Sequence, residues 1–248
     1  MKILVLAGGF DQIALIQELK GRGHEVYLAD YFSAPPAKNY ADKHFQISTL
    51  DEEAIYHLAE YEKVDLITTA CTDQALMTVA SVSEKLGLPC YISAETAKNV
   101  TNKAYMKKKF SEFGIPTAKC ILLEEENNYN CKVFANLKFP MIVKPCDCNS
   151  SKGVIKVNND MELTAAVQNA FLLSRSKKVI VEEFKEGEEV SIDVWKDAEG
   201  AKILSVSGTS KIAENTENFT IYQSRYPIAM SEILIERIKE TAERICDA

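Results

Sequence analysis

Apolar and polar positions along residues 1–93 switch period several times. Residues 2–7, KILVLA, are a continuous apolar run, the pattern of a strand covered on both faces. After Gly8-Gly9, Ile13, Ile16 and Leu19 recur at helical spacing until Gly21 and Gly23. HEVYLAD (24–30) then predicts a second strand that ends at Asp30. The stretch 51–64 predicts a helix with an acidic first turn, which suits the positive end of the helix dipole. DLITTA (65–70) predicts a strand, 73–87 a helix closed by Gly87, and PCYIS (89–93) a last short strand. Strand and helix alternate throughout, the signature of an open parallel sheet with helices on both faces.

Beyond residue 93 the pattern changes. One or two helices cover 94–114; the one at 102–113 carries Lys103, Lys107, Lys108 and Lys109 and stops at Gly114 and Pro116. A strand near 117–123, a polar loop from 124 to 130 and a short helix at 131–137 follow. Strands are expected at 140–144 and 153–157 and a helix over 159–175. The segment 178–197 reads as strand, turn at Gly187, strand, and 200–212 continues antiparallel. An amphipathic helix occupies 231–248. Strands joined by hairpins and flanked by helices predict an α+β region.

The bulk numbers narrow the partners. The 248 residues carry a formal net charge of −7, with 46% hydrophobic and 26% charged residues. An acidic, ordinary globular composition argues against a nucleic-acid binder or an anionic-membrane binder. No apolar run approaches the roughly 20 residues a bilayer requires. The first strand lacks the features of a signal peptide. Seven cysteines at irregular spacing argue against a disulfide framework and favour a reducing, cytoplasmic setting.

Several motifs carry candidate chemistry. Gly8-Gly9 after the first strand is part of a dinucleotide turn, but Gln12 stands where the third glycine belongs. Thr72 and Asp73 lie at the carboxyl end of a strand, where open sheets bind ligands, and equally where a helix is capped. Cys146 and Cys148 are at best half a metal site, and the three histidines do not complete it; no metal residue is assigned. Lys144 ends an apolar strand ahead of a loop rich in Ser, Asn and Gly, which can offer backbone N–H groups and hydroxyls to an anion. The acids around Gly187 read as a solvated turn, yet alternation puts Glu182 and Glu183 on opposite faces of their strand.

The order of NKAYMKKKFSEFGIPTAK, FPMIVKPCDCNSSKGVIKV and VIVEEFKEGEEVSIDV after a βαβ region resembles the ATP-grasp superfamily, nearest its carbamoyl-phosphate-synthase-like and carboxylate–amine ligase branches. The resemblance implies an α/β fold. A Rossmann-like pre-ATP-grasp domain (1–95) leads into a small ATP-grasp subdomain that carries the nucleotide flap (96–190). The start of a second, incomplete subdomain (191–248) follows. It also implies ATP as cofactor. Lys103 and Lys144 would meet the phosphates. Asp147–Gly153 would form the flap, with Ser150, Ser151 and Gly153 nearest the family pattern. Glu182, Glu183, Phe184 and Lys185 would meet adenine, and Glu189 the ribose. Val143, Val181 and Phe184 would wall the adenine slot or simply form strand core.

In such proteins ATP turns a small carboxylate into an acyl phosphate, which an amine or ammonia attacks. The protein contributes positioning and charge neutralisation, and Mg²⁺ the rest. Departing from the family, this sequence shows no acid–x–Asn metal motif after the helix at 231–248. The expectation is a truncated parent enzyme whose 248-residue part turns over ATP poorly. Two alternatives stay open: a nucleotide-binding module without catalysis, and an NAD-binding Rossmann oxidoreductase. The partners implied are a small-molecule carboxylate and an amine; a homodimer is compatible with the sequence.

Overall fold

The computed structural model describes residues 1–124, 131–149, 151–211, 219 and 221–248. The chain forms two compact units, Met1–Thr101 and Asn102–Ala248.

The first unit contains β1 (Lys2–Leu6), α1 (Phe10–Gly21), β2 (Glu25–Asp30), β3 (Lys43–Gln46), α2 (Glu52–Glu62), β4 (Leu66–Thr68), α3 (Asp73–Leu86) and α4 (Ala94–Thr101). Its strands are all parallel in the order β3-β2-β1-β4. Alternation along β1 splits its side chains between two cores. Ile3 and Val5 pack with Ile16, Val26 and Leu28, while Leu4 and Leu6 pack with Tyr27, Ile55 and Val79. Central strands with no polar face explain why their sequence is a continuous apolar run.

Two local expectations fail. Residues 89–93 form no strand; Pro89 has no N–H to give to a ladder, and Leu88 and Cys90 pack against the core from a loop. The edge strand β3, with sequence KHFQ, is hidden to pattern reading because Phe45 is its one apolar residue.

The turn after β1 is fixed by Asp30 at the end of β2. Gly8 N–H donates to Asp30 Oδ2 at 2.7 Å, and Phe32 N–H donates to Oδ1 at 2.7 Å. Gly8 itself has no room for a side chain, since a Cβ would sit 2.7 Å from Pro35 Cβ. Asp30 therefore holds the backbone of the turn.

The second unit carries two antiparallel sheets. One is ordered β5 (Cys120–Leu123), β8 (Val179–Glu183), β6 (Met141–Pro145), β7 (Ile155–Val157), with α5 (Lys103–Glu112) leading into it. Helix α6 (Asp160–Leu173) contributes Leu163, Val167, Ala170 and Phe171 to its core. They meet Met141, Val143, Val179 and Val181 there. The other sheet is β11 (Ile221–Arg225), β10 (Gly200–Lys211), β9 (Val190–Asp197), followed by α7 (Glu232–Asp247). The two strands read around Gly187 do not pair with each other. β8 belongs to the first sheet and β9 to the second, so residues 184–189 cross between them. That crossing segment, FKEGEE, is rich in charge and has a single aromatic residue, as a segment outside both ladders should be.

Replacing Asp30 by Ala leaves two turn N–H groups without their acceptor. The expected loss of unfolding free energy is roughly 2 to 4 kcal/mol, read by urea denaturation. A change within experimental error would show that the turn does not depend on this carboxylate.

Candidate functional site

Antiparallel register builds the first part of the site. Ile142 pairs with Glu182 and Val143 with Val181 across β6 and β8. Side chains opposite each other share a face, and Lys144, two residues after Ile142, shares it too. The Lys144 ammonium donates to Glu182 Oε1. On the other face Val143 and Val181 are fully buried against α6, so they are strand core.

Helix α5 brings two more cations to this face. Asn102 caps it, with Oδ1 accepting from Ala104 N–H at 3.0 Å. Lys103 starts the helix. Its N–H donates to Cys146 O at 3.0 Å and its Nζ to Cys148 O at 2.5 Å, so both ends of the residue hold the chain that leaves β6. One turn later, on the same face, Lys107 Nζ stands 2.9 Å from Glu182 Oε2. Lys107 also donates to Thr117 Oγ1 at 2.5 Å and Ala118 O at 3.2 Å. The side chains of Lys107, Lys144 and Glu182 are only 12%, 16% and 12% exposed.

Charge follows from this crowding. Burial opposes ionisation of Glu182, but Lys144 and Lys107 outweigh it and hold the carboxyl below the usual carboxylate range. Burial, helped by the nearby Lys144 charge, pushes Lys103 down. Burial, with Asp147 beside it, pushes the Cys146 thiol up to about 12. Cys146 is thus an un-ionised packing residue at neutral pH, and Cys148 Sγ faces Leu173 O at 3.6 Å. Among the described residues, no three or more His, Cys, Asp or Glu gather into a group able to hold a metal ion.

The loop after β6 is anchored at its start. Asp147 accepts from Ser174 Oγ at 3.0 Å and from Ser176 N–H at 2.6 Å, while Arg175 donates to Asp147 O at 2.9 Å. Ser151 and Gly153 both take left-handed backbone, with φ of 58° and 75°. A Cβ on Gly153 would meet Leu173 Cδ1 at 2.8 Å and Pro145 Cγ at 2.9 Å, so packing alone demands glycine there. Ser151 Oγ donates to Phe219 O at 3.2 Å. Ser150 lies outside the described residues.

Beyond β8 the chain enters a second group. Lys185 pairs with Glu183 at 2.6 Å, and that bond holds the Glu183 carboxyl down. Phe184 N–H is taken by Pro140 O at 3.1 Å, and Lys156 Nζ stands 3.8 Å from the centre of the Phe184 ring. A cavity of about 720 Å³ is lined by Phe184, Lys185, Glu189, Lys211, Phe219 and Arg225, among others. In it Glu189 accepts from Lys211 Nζ at 2.5 Å and Thr209 Oγ1 at 3.1 Å.

The residues singled out in the sequence therefore fall into three sets. Lys144 and Glu182 pair on one face of β6 and β8, and Lys103 holds the chain that leaves β6. Phe184, Lys185 and Glu189 line the cavity, and Ser151 reaches Phe219 on its wall. Thr72 and Asp73 are in the first unit, at the start of α3. There Thr72 Oγ1 accepts from Gln12 Nε2 at 3.0 Å and donates to Ala70 O at 3.1 Å. Gln12, in place of the third glycine, is buried and bound to this strand end. Sequence reading passed over Lys107, Lys211 and Thr209. The signal for Lys107 was its position four residues after Lys103; nothing local marks the other two, which reach Glu189 across the second sheet.

Two antiparallel sheets preceded by a unit with a parallel sheet define the class of fold. The chain belongs to the ATP-grasp superfamily, in the family described as the D-ala D-ala ligase C-terminus, whose model matches residues 110–248. It is 26% identical over 251 residues to the formate-dependent phosphoribosylglycinamide formyltransferase of Mannheimia succiniciproducens, covering all of this chain and 62% of that protein. The chain thus spans less than two thirds of the length of this relative. Among solved structures it shares its fold with the L-amino acid ligase of Bacillus licheniformis. The TM-score is 0.77 and the identity 18%, over 99% of this chain and 59% of the other. It also shares it with the biotin carboxylase domain dimer of Hydrogenobacter thermophilus 2-oxoglutarate carboxylase, solved with MgADP, ADP and bicarbonate. There the TM-score is 0.81 and the identity 16%, over 99% and 57% of the two chains. No helix among the described residues is long and apolar enough to cross a membrane.

Because the folded-state pKa of Glu182 is lowered, its contribution to stability is complete above the unfolded glutamate value of roughly 4.3 and fades as pH falls through the folded value. The stability gap between the wild type and Glu182→Gln, of about 3 kcal/mol near neutrality for a broken buried pair, should therefore shrink below pH 4. Chemical denaturation at pH 7 and pH 3 measures it. A gap that stays constant would mean that folding does not lower the Glu182 carboxyl at all.

Proposed function

We propose that this chain binds ATP between the Lys103–Lys144–Glu182 cluster and the cavity beyond Phe184, and that it belongs to a ligase that activates a small carboxylate for attack by an amine or ammonia. The observation that carries the reading is a buried carboxylate, Glu182, engaged by Lys144 and Lys107, with Lys103 holding the loop that follows Lys144, and, further along the chain, a cavity lined by an aromatic ring and further charges. A nucleotide triphosphate needs positive charge for its phosphates, an apolar slot for its base and an acceptor for its ribose hydroxyls.

Each residue then has a chemical task. Lys103 and Lys144 neutralise phosphate oxygens, which is most of what a protein contributes to phosphoryl transfer. The loop from Asp147 to Gly153, held at its root by Ser174 and Ser176, lays its N–H groups over the phosphates; Ser150 and Ser151 are its hydroxyl donors. Glu182 and the polar groups from Glu183 to Lys185 meet adenine, with Phe184 against the ring. Glu189, oriented by Lys211 and Thr209, takes the ribose. Thr72 and Asp73, at the carboxyl end of β4, are assigned to the substrate side.

Mg²⁺ would shield the phosphates in the whole enzyme. The described residues supply no cluster for it, so no step here is routed through it. The domain limits follow the same reading: a substrate-side domain over 1–95, the flap-bearing subdomain over 96–190, and a second subdomain from 191. The name of the relative above, a formate-dependent phosphoribosylglycinamide formyltransferase, supports a small carboxylate, with an amine as acceptor, as the substrate class.

Thermal melting with ATP or NAD at equal millimolar concentration tests the reading, since a ligand bound by the native state raises its melting temperature. ATP should stabilise the chain and NAD should leave it unchanged. Lys144→Ala should lose most of the ATP shift, while Cys146→Ala with Cys148→Ala should keep it. Stabilisation by NAD alone would replace the nucleotide-triphosphate reading with a dinucleotide one.

A further inference from the structure

Glu182 has two oxygens and two different cations. Lys144 comes from the neighbouring strand and takes Oε1. Lys107 comes from α5 and stands at Oε2, 2.9 Å away. The three side chains are nearly buried, so the carboxylate depends on these partners, with little help from solvent. This creates a conflict for Lys144. A charge engaged by a buried carboxylate is only partly available to a phosphate, and withdrawing it from a carboxylate with no other partner would strand that carboxylate.

We infer that Lys107 is a positioning residue of the nucleotide site, one that keeps Glu182 neutralised and oriented while Lys144 turns its charge toward a phosphate. The inference rests on the nucleotide reading proposed above. Geometry supports the division of labour. Lys107 is tied to Thr117 Oγ1 and Ala118 O on the segment that enters β5, so its ammonium is held in place from a second side. Lys144 ends its strand immediately before the flap loop and has no such second anchor among its described hydrogen bonds. The Lys103 ammonium is already given to Cys148 O, which fixes the loop's root. Among the described hydrogen bonds, one lysine of the three is thus bound to Glu182 alone, and it sits near the end of β6, just ahead of the loop in sequence.

The test is a double-mutant cycle on ATP affinity, measured by isothermal titration calorimetry well below the melting temperature of each variant. Lys107→Gln keeps a donor for Thr117 and Ala118 but removes the charge. It should weaken ATP binding about tenfold, the scale of coupling between touching charged groups. Lys107→Arg, which keeps the charge, should bind within about threefold of wild type on the same scale. In a Glu182→Gln background, where no carboxylate needs a keeper, Lys107→Gln should change affinity less than about twofold.

A purely structural lysine would alter melting temperature while leaving the affinity of the folded protein unmoved. That result overturns the inference and leaves the nucleotide reading standing. An equal loss in both backgrounds also overturns it, because Lys107 would then act on the nucleotide directly. If Lys107→Gln fails to fold, a loss of more than about twofold in the double variant relative to Glu182→Gln still overturns the inference, because Lys107 would then act without the carboxylate. Absence of ATP binding by the wild-type chain overturns the nucleotide reading and this inference together.

Discussion

Everything at the candidate site depends on one buried carboxylate. Glu182 is placed by sheet register on the face opposite the α6 core, and a lone carboxylate there would be untenable. The fold answers with Lys144 from the adjacent strand and Lys107 from α5. These ion pairs tie α5 to the sheet and set the direction of Lys144. The price of holding such charges out of water is that the cluster is less a source of stability than a source of orientation.

The same economy appears in the hinge. β8 ends at Glu183 and the next strand, β9, joins a different sheet, so residues 184–189 have no ladder to satisfy them. Their groups find other partners: Phe184 N–H takes Pro140 O, Lys185 pairs with Glu183, and Glu189 is held by Thr209 and Lys211. The segment between the two sheets thus has Phe184 and Glu189 held in place. The loop after β6 reaches the wall of the cavity through the bond from Ser151 to Phe219.

How far the sequence announces this differs by element. Continuous apolar runs such as KILVL and the helix stop at Gly87 can be read directly, because burial on both faces and left-handed backbone each impose a narrow choice of residue. The edge strand KHFQ escapes, since an edge needs few apolar residues, and PCYIS misleads, since its apolar character serves loop packing. At the site, Lys103, Lys144 and Glu182 stand out through ordered motifs. Lys107, Lys211 and Thr209 do not, because their roles come from contacts between residues far apart in sequence, which no local period encodes. Gly153 is legible for a different reason than its motif suggests: Pro145 and Leu173 leave no space for a Cβ.

Hydrogen exchange read by mass spectrometry, with and without ATP, tests the central claim most directly, because it locates the nucleotide without altering a residue. The account predicts slowed exchange in 144–153, in 182–190 and around Thr209–Lys211, with the Gly8–Gln12 turn unchanged. Protection confined to Gly8–Gln12 and 70–73, with the Glu182 cluster and hinge unaffected, would contradict it.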